Sequence, residues 1–373
     1  MGAQSLQTSH SGISHNAVAA GRKPAKIMLV DDSIVARSIL ERILENAGGF
    51  SIIASVATAN DALTALDDHL PDVIVLDIDM PGMSGITALP LILNKAMGAR
   101  VLILSANCEE GGPAAIEALA RGAADTLVKP GRGTFAGSFA TVLVDRLHTL
   151  VNMKGRLYPA VLSPVAPPAV LNLNAHSGGV AAIGIGASTG GIMAINSFLG
   201  ALPADVLCPI MVTQHLPGAF MPFFAEQLKR LVQRPVLVAA DGMQVLEGHI
   251  YLAPGDGHIT LSGVASRGHI MIDRTAAASG ATPSVDPMLE SLARRYGQSA
   301  CGVMLSGMGR DGLEGARKLV SAGGLMLAQD LESCVVWGMP GAVVRDGIAA
   351  SVHDPATLAL IVAQSYFRQS TDE

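Results

Sequence analysis

Apolar runs and amphipathic segments alternate along the first part of the chain, from Lys26 to about residue 150. Five short runs rich in Val, Ile and Leu predict strands: KIMLV, SIIASVA, DVIVLD, RVLILSA and ADTLVKP. Segments with helical spacing lie between them, and in NDALTALDDHL the expected N-cap is Asn60 or Asp61. Strands that alternate with helices form a parallel sheet covered on both faces. We therefore predict an N-terminal α/β domain with a doubly wound, five-stranded parallel sheet.

A second set of apolar runs follows residue 178. The segments predicted as strands are VAAIGIGAS, CPIMVTQH, PVLVAA, HIYLAPG, HITL, HIMI, ACGVMLSG and GGLMLAQD. The segments predicted as helices between some of them include PFFAEQLKRLV, PMLESLARRYG and GLEGARKLVSAG. The short strands in the middle of this region are typical of an antiparallel insertion. We predict a mostly parallel α/β sheet with a small antiparallel insertion.

Polar segments delimit the two regions. Residues 1–25 have no apolar core of the kind found in signal peptides, so we expect a disordered leader. Residues 155–177 are rich in Pro, Ala and Asn without a period and predict a linker. The predicted domains are residues 26–154 and 178–373. Residues 157–204 lack charged side chains, but Pro, Gly and Ser interrupt them, so we expect no membrane insertion.

Composition and charge argue against some classes of function. Half of the 373 residues are hydrophobic and the net charge is −6, with acids and bases nearly balanced in both halves. Because nucleic-acid-binding surfaces are usually basic, this charge argues against DNA or RNA as a partner. The four cysteines are scattered without a C-x-x-C pair. This is typical of reduced thiols in a cytoplasmic protein rather than of disulfides or a zinc site.

Charged and hydroxyl side chains stand at the ends of the strands predicted in the first domain. They are Asp31 and Asp32 after the first strand, Asp77 at the third, Ser105 at the fourth and Lys129 at the fifth. The carboxyl ends of parallel strands meet at one edge of a sheet, where such folds bind ligands. Converging carboxylates repel one another, and Mg²⁺ is a cation that prefers carboxylate and phosphate oxygens. We predict a magnesium site at this edge, with Ser105 and Lys129 placed to contact a phosphoryl group on Asp77.

Residues 26 to about 150 resemble a two-component receiver domain. The resemblance rests on the acidic pair at 31 and 32, DIDMPGMSG around Asp77, the Ser-Ala pair at Ser105 and the Lys-Pro pair at Lys129. It implies that Asp77 is the phosphoacceptor and that the backbone carbonyl of Asp79 is a further metal ligand. Receivers usually carry an aromatic residue three positions before the lysine, where this chain has Thr126. We therefore expect weaker coupling between phosphorylation and output.

The segment GIGASTGG, residues 184–191, lies between a predicted strand and a helical segment. A dinucleotide fingerprint requires glycine where this chain has Thr189, and a P-loop requires lysine where it has Ile192. Both phosphate-binding interpretations thus lack a required residue. The pattern G-x-S-x-G matches residues 186–190 and places Ser188 on a sharp turn before a helix, the context of a nucleophile.

A nucleophilic serine needs a base, and the base needs an acid that orients it. His215 is preferred as the base because it ends the strand expected beside the one that carries Ser188. Asp311 is preferred as the acid because it lies in a glycine-rich turn after a strongly apolar strand. The alternatives near other strand ends and turns are His249, His258, Asp241 and Asp256.

These motifs together resemble the chemotaxis protein-glutamate methylesterases. IGASTGG, TQH, TPSVD, SGMGRDG and SCVVWGMP occur in this order, after a receiver and a linker, and the resemblance covers residues from about 26 to 365. It implies that Ser188 is the nucleophile, His215 the general base and Asp311 its orienting acid. Backbone amides near Thr189 and Met308 are the oxyanion-hole candidates.

The resemblance also implies the reaction and the partners. The expected reaction is hydrolysis of glutamate γ-methyl esters on cytoplasmic helices of chemoreceptors, with deamidation of selected glutamines and no cofactor for the esterase step. The expected phosphodonor is a chemotaxis histidine kinase, and the receiver is expected to cover the cleft around Ser188 until it is phosphorylated. Ala281 and Thr282 replace the His-Arg pair that the family commonly has before PSVD, so we expect substrate handling to differ.

Two other functions, one of them of another class, are compatible with the residues. The chain could be a phosphorylation-controlled docking module with a vestigial esterase site, or a small-molecule esterase under receiver control. Release of methanol from a methylated receptor distinguishes the methylesterase from the docking module.

Overall fold

The computed structural model describes residues 23–105, 112–129, 137–152, 179–263 and 268–368. The predicted linker and nearly all of the predicted leader lie outside these ranges. The domain boundaries therefore stay predictions.

The N-terminal domain contains a five-stranded parallel sheet in the order β2-β1-β3-β4-β5. Its strands are β1 (Ala25–Val30), β2 (Phe50–Val56), β3 (Val73–Asp77), β4 (Arg100–Ser105) and β5 (Asp125–Val128). Its helices are α1 (Ile34–Ala47), α2 (Ala59–Asp68), α3 (Gly85–Lys95), α4 (Gly112–Ala120) and α5 (Gly137–Asn152). The predicted doubly wound α/β domain is confirmed.

Helices cover both faces of this sheet because its strand side chains are apolar on both sides. Ile27 of β1 belongs to the same buried cluster as Leu40 of α1 and Leu147 of α5. The next residue, Met28, points to the opposite face and belongs to a cluster that includes Leu66 of α2. This alternation is the period of two that strands impose.

The prediction for the start of α2 is wrong. The N-cap is Thr58, whose backbone is extended and whose Oγ1 accepts a hydrogen bond from the Asp61 amide at 3.1 Å. The Asp61 carboxylate accepts a hydrogen bond from the Thr58 hydroxyl at 2.7 Å. Asn60 and Asp61 already lie in the first turn, where the carboxylate supports the helix instead of capping it.

The C-terminal domain contains a seven-stranded parallel sheet in the order β14-β13-β12-β6-β7-β9-β8. Its strands are β6 (Ala182–Ala187), β7 (Ile210–Gln214), β8 (Val236–Val238), β9 (Ile250–Leu252), β12 (Ala300–Met304), β13 (Leu325–Gln329) and β14 (Ser351–His353). Its helices are α6 (Gly191–Ala201), α7 (Met221–Leu231), α8 (Val285–Tyr296), α9 (Leu313–Ser321), α10 (Met339–Arg345) and α11 (Pro355–Arg368).

The predicted antiparallel insertion is present. It is the hairpin of β10 (His258–Ser262) and β11 (His269–Asp273). The other two short middle strands, β8 and β9, instead extend the parallel sheet at its edge. The sequence analysis missed β14, because three residues are too few to show a period. The predicted fold class is confirmed.

The order of strands locates the crevice of the C-terminal domain. β6 is the first strand of this sheet and lies between β7 and β12. The strands that come next in the chain are added on one side of it, and the last three strands are added on the other side. Ligands of open α/β sheets bind at the carboxyl ends of the strands at such a switch point.

The two domains share a buried apolar interface. Leu119 of α4 and Ile192 of α6 belong to one continuous cluster. Gly112 of α4 lies so close to the Phe223 ring of α7 that a Cβ would come within 2.5 Å of it. The N-terminal domain therefore docks through α4. Within the described ranges, no helix is both long and apolar enough to cross a membrane.

Candidate functional site

A tight turn joins β6 to α6. β6 ends at Ala187 and α6 begins at Gly191, so Ser188 opens a turn of three residues and is 7% exposed. Gly190 has a φ of 75°, and a Cβ there would lie 2.4 Å from Val335, so only glycine fits. This is the strand, turn and helix arrangement predicted from G-x-S-x-G.

Residues from both neighbouring strands hold this turn. The Ser188 amide donates to the Ser306 carbonyl at 3.0 Å, and Gln214 Nε2 donates to the Ser188 carbonyl at 2.8 Å. Ser306 Oγ donates to the Thr189 carbonyl at 2.8 Å. Sequence reasoning missed the supporting roles of Gln214 and Ser306, although both lie in quoted motifs, TQH and SGMGRDG.

His215 and Asp311 form a pair beside the turn, with His215 Nε2 2.8 Å from Asp311 Oδ2. His215 follows β7 and Asp311 follows β12, the two strands that flank β6. The structure thus brings Ser188, His215 and Asp311 to adjacent strand ends. Among the hydrogen bonds of the described residues, none joins Ser188 Oγ to His215.

Asp311 is a buried carboxylate whose two oxygens both accept hydrogen bonds. Oδ1 accepts from Ser284 Oγ at 2.6 Å, and Oδ2 accepts from the Val285 amide at 2.7 Å in addition to His215. Burial opposes ionisation, but the hydrogen bonds from His215, Ser284 and Val285 outweigh it and lower the pKa of Asp311 to about 2. Asp311 is therefore an anion at neutral pH.

The alternative histidines and carboxylates make other contacts. His249 Nδ1 bonds the Glu247 carbonyl, Asp241 accepts from the Ile272 amide, and Asp256 forms an exposed ion pair with Arg274. His258 is buried between two backbone groups, the Thr275 carbonyl and the Ser284 amide. The geometry favours His215 and Asp311 over all four.

The two oxyanion candidates lie at different places in the site. Thr189 directly follows Ser188 in the turn and directly precedes Gly190, the N-cap of α6. Met308 lies in the loop after β12 with its side chain 40% exposed. Ala281 and Thr282, which depart from the family pattern, lie in the loop before α8, next to the segment that binds Asp311.

A second site lies at the carboxyl ends of the strands of the N-terminal domain. Ligand oxygens of Asp31, Asp32 and Asp77 lie within 4.8 Å of one another. Lys129 Nζ lies 2.7 Å from Asp31 Oδ2 and 2.8 Å from Asp77 Oδ2. Burial raises the pKa of Asp77 to about 6 against the opposing effect of Lys129.

The residues of this site fit a hard cation and a phosphoryl group. Asp77 Oδ1 is buried and has no hydrogen-bond partner among the described residues, and the same is true of Ser105 Oγ. Asp79 lies two residues after Asp77 in the chain and is exposed. Oxygen atoms without partners beside three carboxylates are the donor set that Mg²⁺ prefers. The structure thus brings the residues predicted from the sequence together at one edge.

The N-terminal domain covers the Ser188 turn. Thr189 Oγ1 donates to Asp125 Oδ2 at 2.9 Å, and the Gly190 amide donates to the Ala124 carbonyl at 3.0 Å. Arg146 of α5 pairs with Asp125 and lies 3.3 Å from Thr189 Oγ1. Sequence reasoning expected this covering, but it named Thr189 only as an oxyanion-hole candidate and did not identify Ala124, Asp125 or Arg146.

Two further features show how closely the domains approach. Thr149 of α5 donates to Met308 Sδ at 3.3 Å. The space left between Asp125, Ser188 and His215 is about 20 Å³, room for one water molecule. A protein substrate cannot reach Ser188 in this arrangement.

Comparisons with known proteins identify the families of both domains. Residues 27–134 match the response regulator receiver domain, and residues 183–362 match the CheB methylesterase family. The protein-glutamate methylesterase/protein-glutamine glutaminase of Maricaulis maris (strain MCS10) is 34% identical over 369 residues, covering 88% of this chain and 92% of the relative. The protein of the same name from Azospirillum brasilense is 37% identical over 361 residues, covering 91% and 92%.

The comparison with solved structures also found a match. The crystal structure of the Thermotoga maritima CheB methylesterase catalytic domain has a TM-score of 0.48 and 34% identity, covering 50% of this chain and 98% of that one. The sequence matches define a response regulator whose receiver is joined to a methylesterase domain. The chain belongs to the protein-glutamate methylesterase/protein-glutamine glutaminase family.

Removing the Asp311 charge should make stability depend less on pH. The folded pKa of about 2 lies below the unfolded value of about 3.9, so the charge stabilises the fold above about pH 4. This stability is lost as the pH falls through 2. Asp311→Asn should therefore lower the free energy of unfolding by about 2 kcal/mol at pH 7 and by about half as much at pH 3.

Urea unfolding followed by the fluorescence of Trp337, the single tryptophan, measures this difference. Asp256→Asn, in an exposed ion pair, is the matched control and should change little. An equal loss at pH 7 and pH 3 in Asp311→Asn would contradict the low pKa.

Proposed function

We propose that this protein is a phosphorylation-activated chemotaxis methylesterase, which hydrolyses glutamate γ-methyl esters on chemoreceptors and deamidates specific receptor glutamines. The observation that carries the proposal is the His215–Asp311 pair, formed at 2.8 Å beside the turn that presents Ser188. The relatives named as protein-glutamate methylesterase/protein-glutamine glutaminase match this chain over 92% of their own length, which supports the same reaction. The methylated segments of chemoreceptors are cytoplasmic helices, so we place the protein in the cytoplasm.

The tautomer of His215 follows from its partner. Asp311 is ionised and can only accept hydrogen bonds, so His215 Nε2 carries the proton. His215 Nδ1 is then the nitrogen that can accept a proton from Ser188 Oγ. Asp311 holds the ring in this tautomer and stabilises the imidazolium that forms.

The reaction then proceeds in two halves. Ser188 Oγ attacks the γ-carbonyl carbon while its proton passes to His215 Nδ1, and backbone amides at Thr189 and Met308 stabilise the oxyanion. The bond to the methoxy oxygen breaks, His215 returns the proton to that oxygen, and methanol leaves. Water attacks the acyl-enzyme by the same route and releases the glutamate carboxylate and free Ser188. A glutamine γ-amide follows the same steps with ammonia as the leaving group.

The esterase step uses only protein groups in this proposal, whereas phosphorylation of the receiver uses Mg²⁺. Asp31, Asp32, Asp77 and the carbonyl of Asp79 would hold the ion, which supplies positive charge beside the phosphoryl oxygens. Asp77 accepts the phosphoryl group from a chemotaxis histidine kinase. Ser105 and Lys129 bind the phosphoryl oxygens.

One short strand links the two sites. β5 runs from Asp125, which binds Thr189, to Val128, which directly precedes Lys129. Four residues of strand span only about 13 Å. A shift of Lys129 toward a phosphoryl group on Asp77 therefore displaces the strand that holds Asp125 on the Ser188 turn. Thr126, in the aromatic position of other receivers, lies in this strand.

Ser188→Ala should abolish methanol release while leaving the fold intact, because the hydroxyl is the covalent nucleophile. We expect a loss of at least about 10³-fold, an equal loss in His215→Ala, and little further loss in the double variant. The measurement is methanol released from a methylated receptor in the presence of a small phosphodonor. His249→Ala is the control and should keep near-normal turnover. Near-normal turnover in Ser188→Ala would rule out this mechanism, and a wild type that releases no methanol would favour the docking-module hypothesis.

Asp77→Asn should prevent phosphorylation, because it removes the acceptor oxygen. Asp32→Asn should weaken Mg²⁺ binding but leave Asp77 available, so labelling should need more Mg²⁺. Labelled phosphodonor and Mg²⁺ titration measure both effects, with Asp67→Asn, on the exposed end of α2, as the control. Labelling that persists in Asp77→Asn would mean that another residue is the acceptor.

Asp125→Ala should activate the unphosphorylated enzyme. The variant removes the charge-assisted contacts of Asp125 with Thr189 and Arg146, and one such contact is worth about 1.5–3 kcal/mol. We expect a rise of at least tenfold without phosphodonor, and less than a twofold change when the enzyme is phosphorylated. Arg121→Ala, which breaks an exposed ion pair on the same domain, is the control. Equal activity of Asp125→Ala and wild type without phosphodonor would show that these contacts do not restrain the esterase.

A further inference from the structure

The hairpin β10–β11 places a buried histidine behind the Asp311 carboxylate. His258, the first residue of β10, is 1% exposed and uses both ring nitrogens. Nδ1 accepts a hydrogen bond from the Ser284 amide at 2.8 Å, and Nε2 bonds the Thr275 carbonyl at 2.8 Å. A backbone amide can only donate and a carbonyl can only accept, so His258 is neutral with its proton on Nε2.

The residue that His258 holds is the one that binds Asp311. Ser284 Oγ donates to Asp311 Oδ1 at 2.6 Å, and the next residue, Val285, donates its amide to Asp311 Oδ2 at 2.7 Å. Ser284 is also the N-cap of α8 and is fully buried. Among the described residues, one segment therefore supplies two of the three hydrogen bonds to Asp311.

We infer that His258 is a positioning residue for the proposed Ser188–His215–Asp311 site, acting through Ser284. The inference rests on the proposed function. His258 ties the loop before α8 to the hairpin at two points, the Thr275 carbonyl and the Ser284 amide. This sets where Ser284 Oγ and the Val285 amide meet the carboxylate, and so the direction in which Asp311 presents Oδ2 to His215.

The hairpin, which lies outside the seven-stranded sheet, thus helps to position Asp311. Without His258, the Ser284 amide would be a buried donor with no acceptor, and the segment would shift to find one. Asp311 would then keep its charge but lose its orientation. Because His258 contacts no substrate, a shift of this kind lowers kcat and leaves KM nearly unchanged.

The test compares two substitutions of His258 in the full-length, phosphorylated protein. His258→Asn keeps an acceptor near the Nδ1 position for the Ser284 amide, whereas His258→Leu removes it. We expect kcat for methanol release to fall about 10- to 100-fold in His258→Leu and less than about fivefold in His258→Asn, with KM within twofold in both. The rate at which a fluorophosphonate labels Ser188 should fall in parallel with kcat, since labelling needs the same base.

The control is His269→Leu, which replaces an exposed histidine on the other strand of the same hairpin. A folded His258→Leu with kcat within twofold of wild type would overturn the inference, as would equal losses in the Leu and Asn variants. If His258→Leu does not fold, Ser284→Ala replaces it. Loss of its hydroxyl should lower kcat about 10- to 100-fold, whereas Ser279→Ala, which contacts Ser284 but not Asp311, should not.

These outcomes separate the inference from the function on which it rests. Turnover that survives Ser188→Ala would defeat the proposed function. If Ser188→Ala is inactive while His258→Leu and Ser284→Ala are fully active, the proposed function stands and only the positioning role is overturned.

Discussion

A buried negative charge on Asp311 is the constraint on which the C-terminal site depends. A carboxylate removed from water is unfavourable unless its oxygens are bound. Here the hydrogen bonds come from two other parts of the chain, from Ser284 and Val285 at the start of α8 and from His215 after β7. The loop after β12, the start of α8 and the end of β7 must therefore assemble together. The low pKa of Asp311 is the result of that assembly.

The two domains use their sheets differently. Both place polar side chains at the carboxyl ends of parallel strands. These are the acidic cluster in the N-terminal domain and the Ser188 turn in the C-terminal domain. The N-terminal domain, however, covers the Ser188 turn with the opposite end of its own sheet, where β5 begins at Asp125. The proposed phosphorylation site at Asp77 therefore lies at the other end of the sheet from this contact, and in the proposed function its effect reaches the Ser188 turn along β5.

Much of this arrangement could be predicted from the sequence. The alternation of apolar runs predicted both sheets, and the positions of Asp31, Asp77, Ser105 and Lys129 at strand ends predicted that these residues lie at one edge of the first sheet. The sequence analysis was wrong about the cap of α2 because the helix begins at Ala59, so that Asn60 and Asp61 already lie in its first turn. It missed β14, and it treated His258 only as a rival base because spacing does not reveal what a ring nitrogen contacts.

The sequence by itself determined the secondary structure and the side chains available at each strand end, because periodicity and turn residues act over a few positions. Only the tertiary structure decided which of those side chains meet. Asp311 binds His215 across 96 residues, Ser284 binds Asp311 across 27, and Thr189 binds Asp125 across 64. Such contacts depend on strand order and domain docking, which set the distances between atoms and which no local pattern encodes.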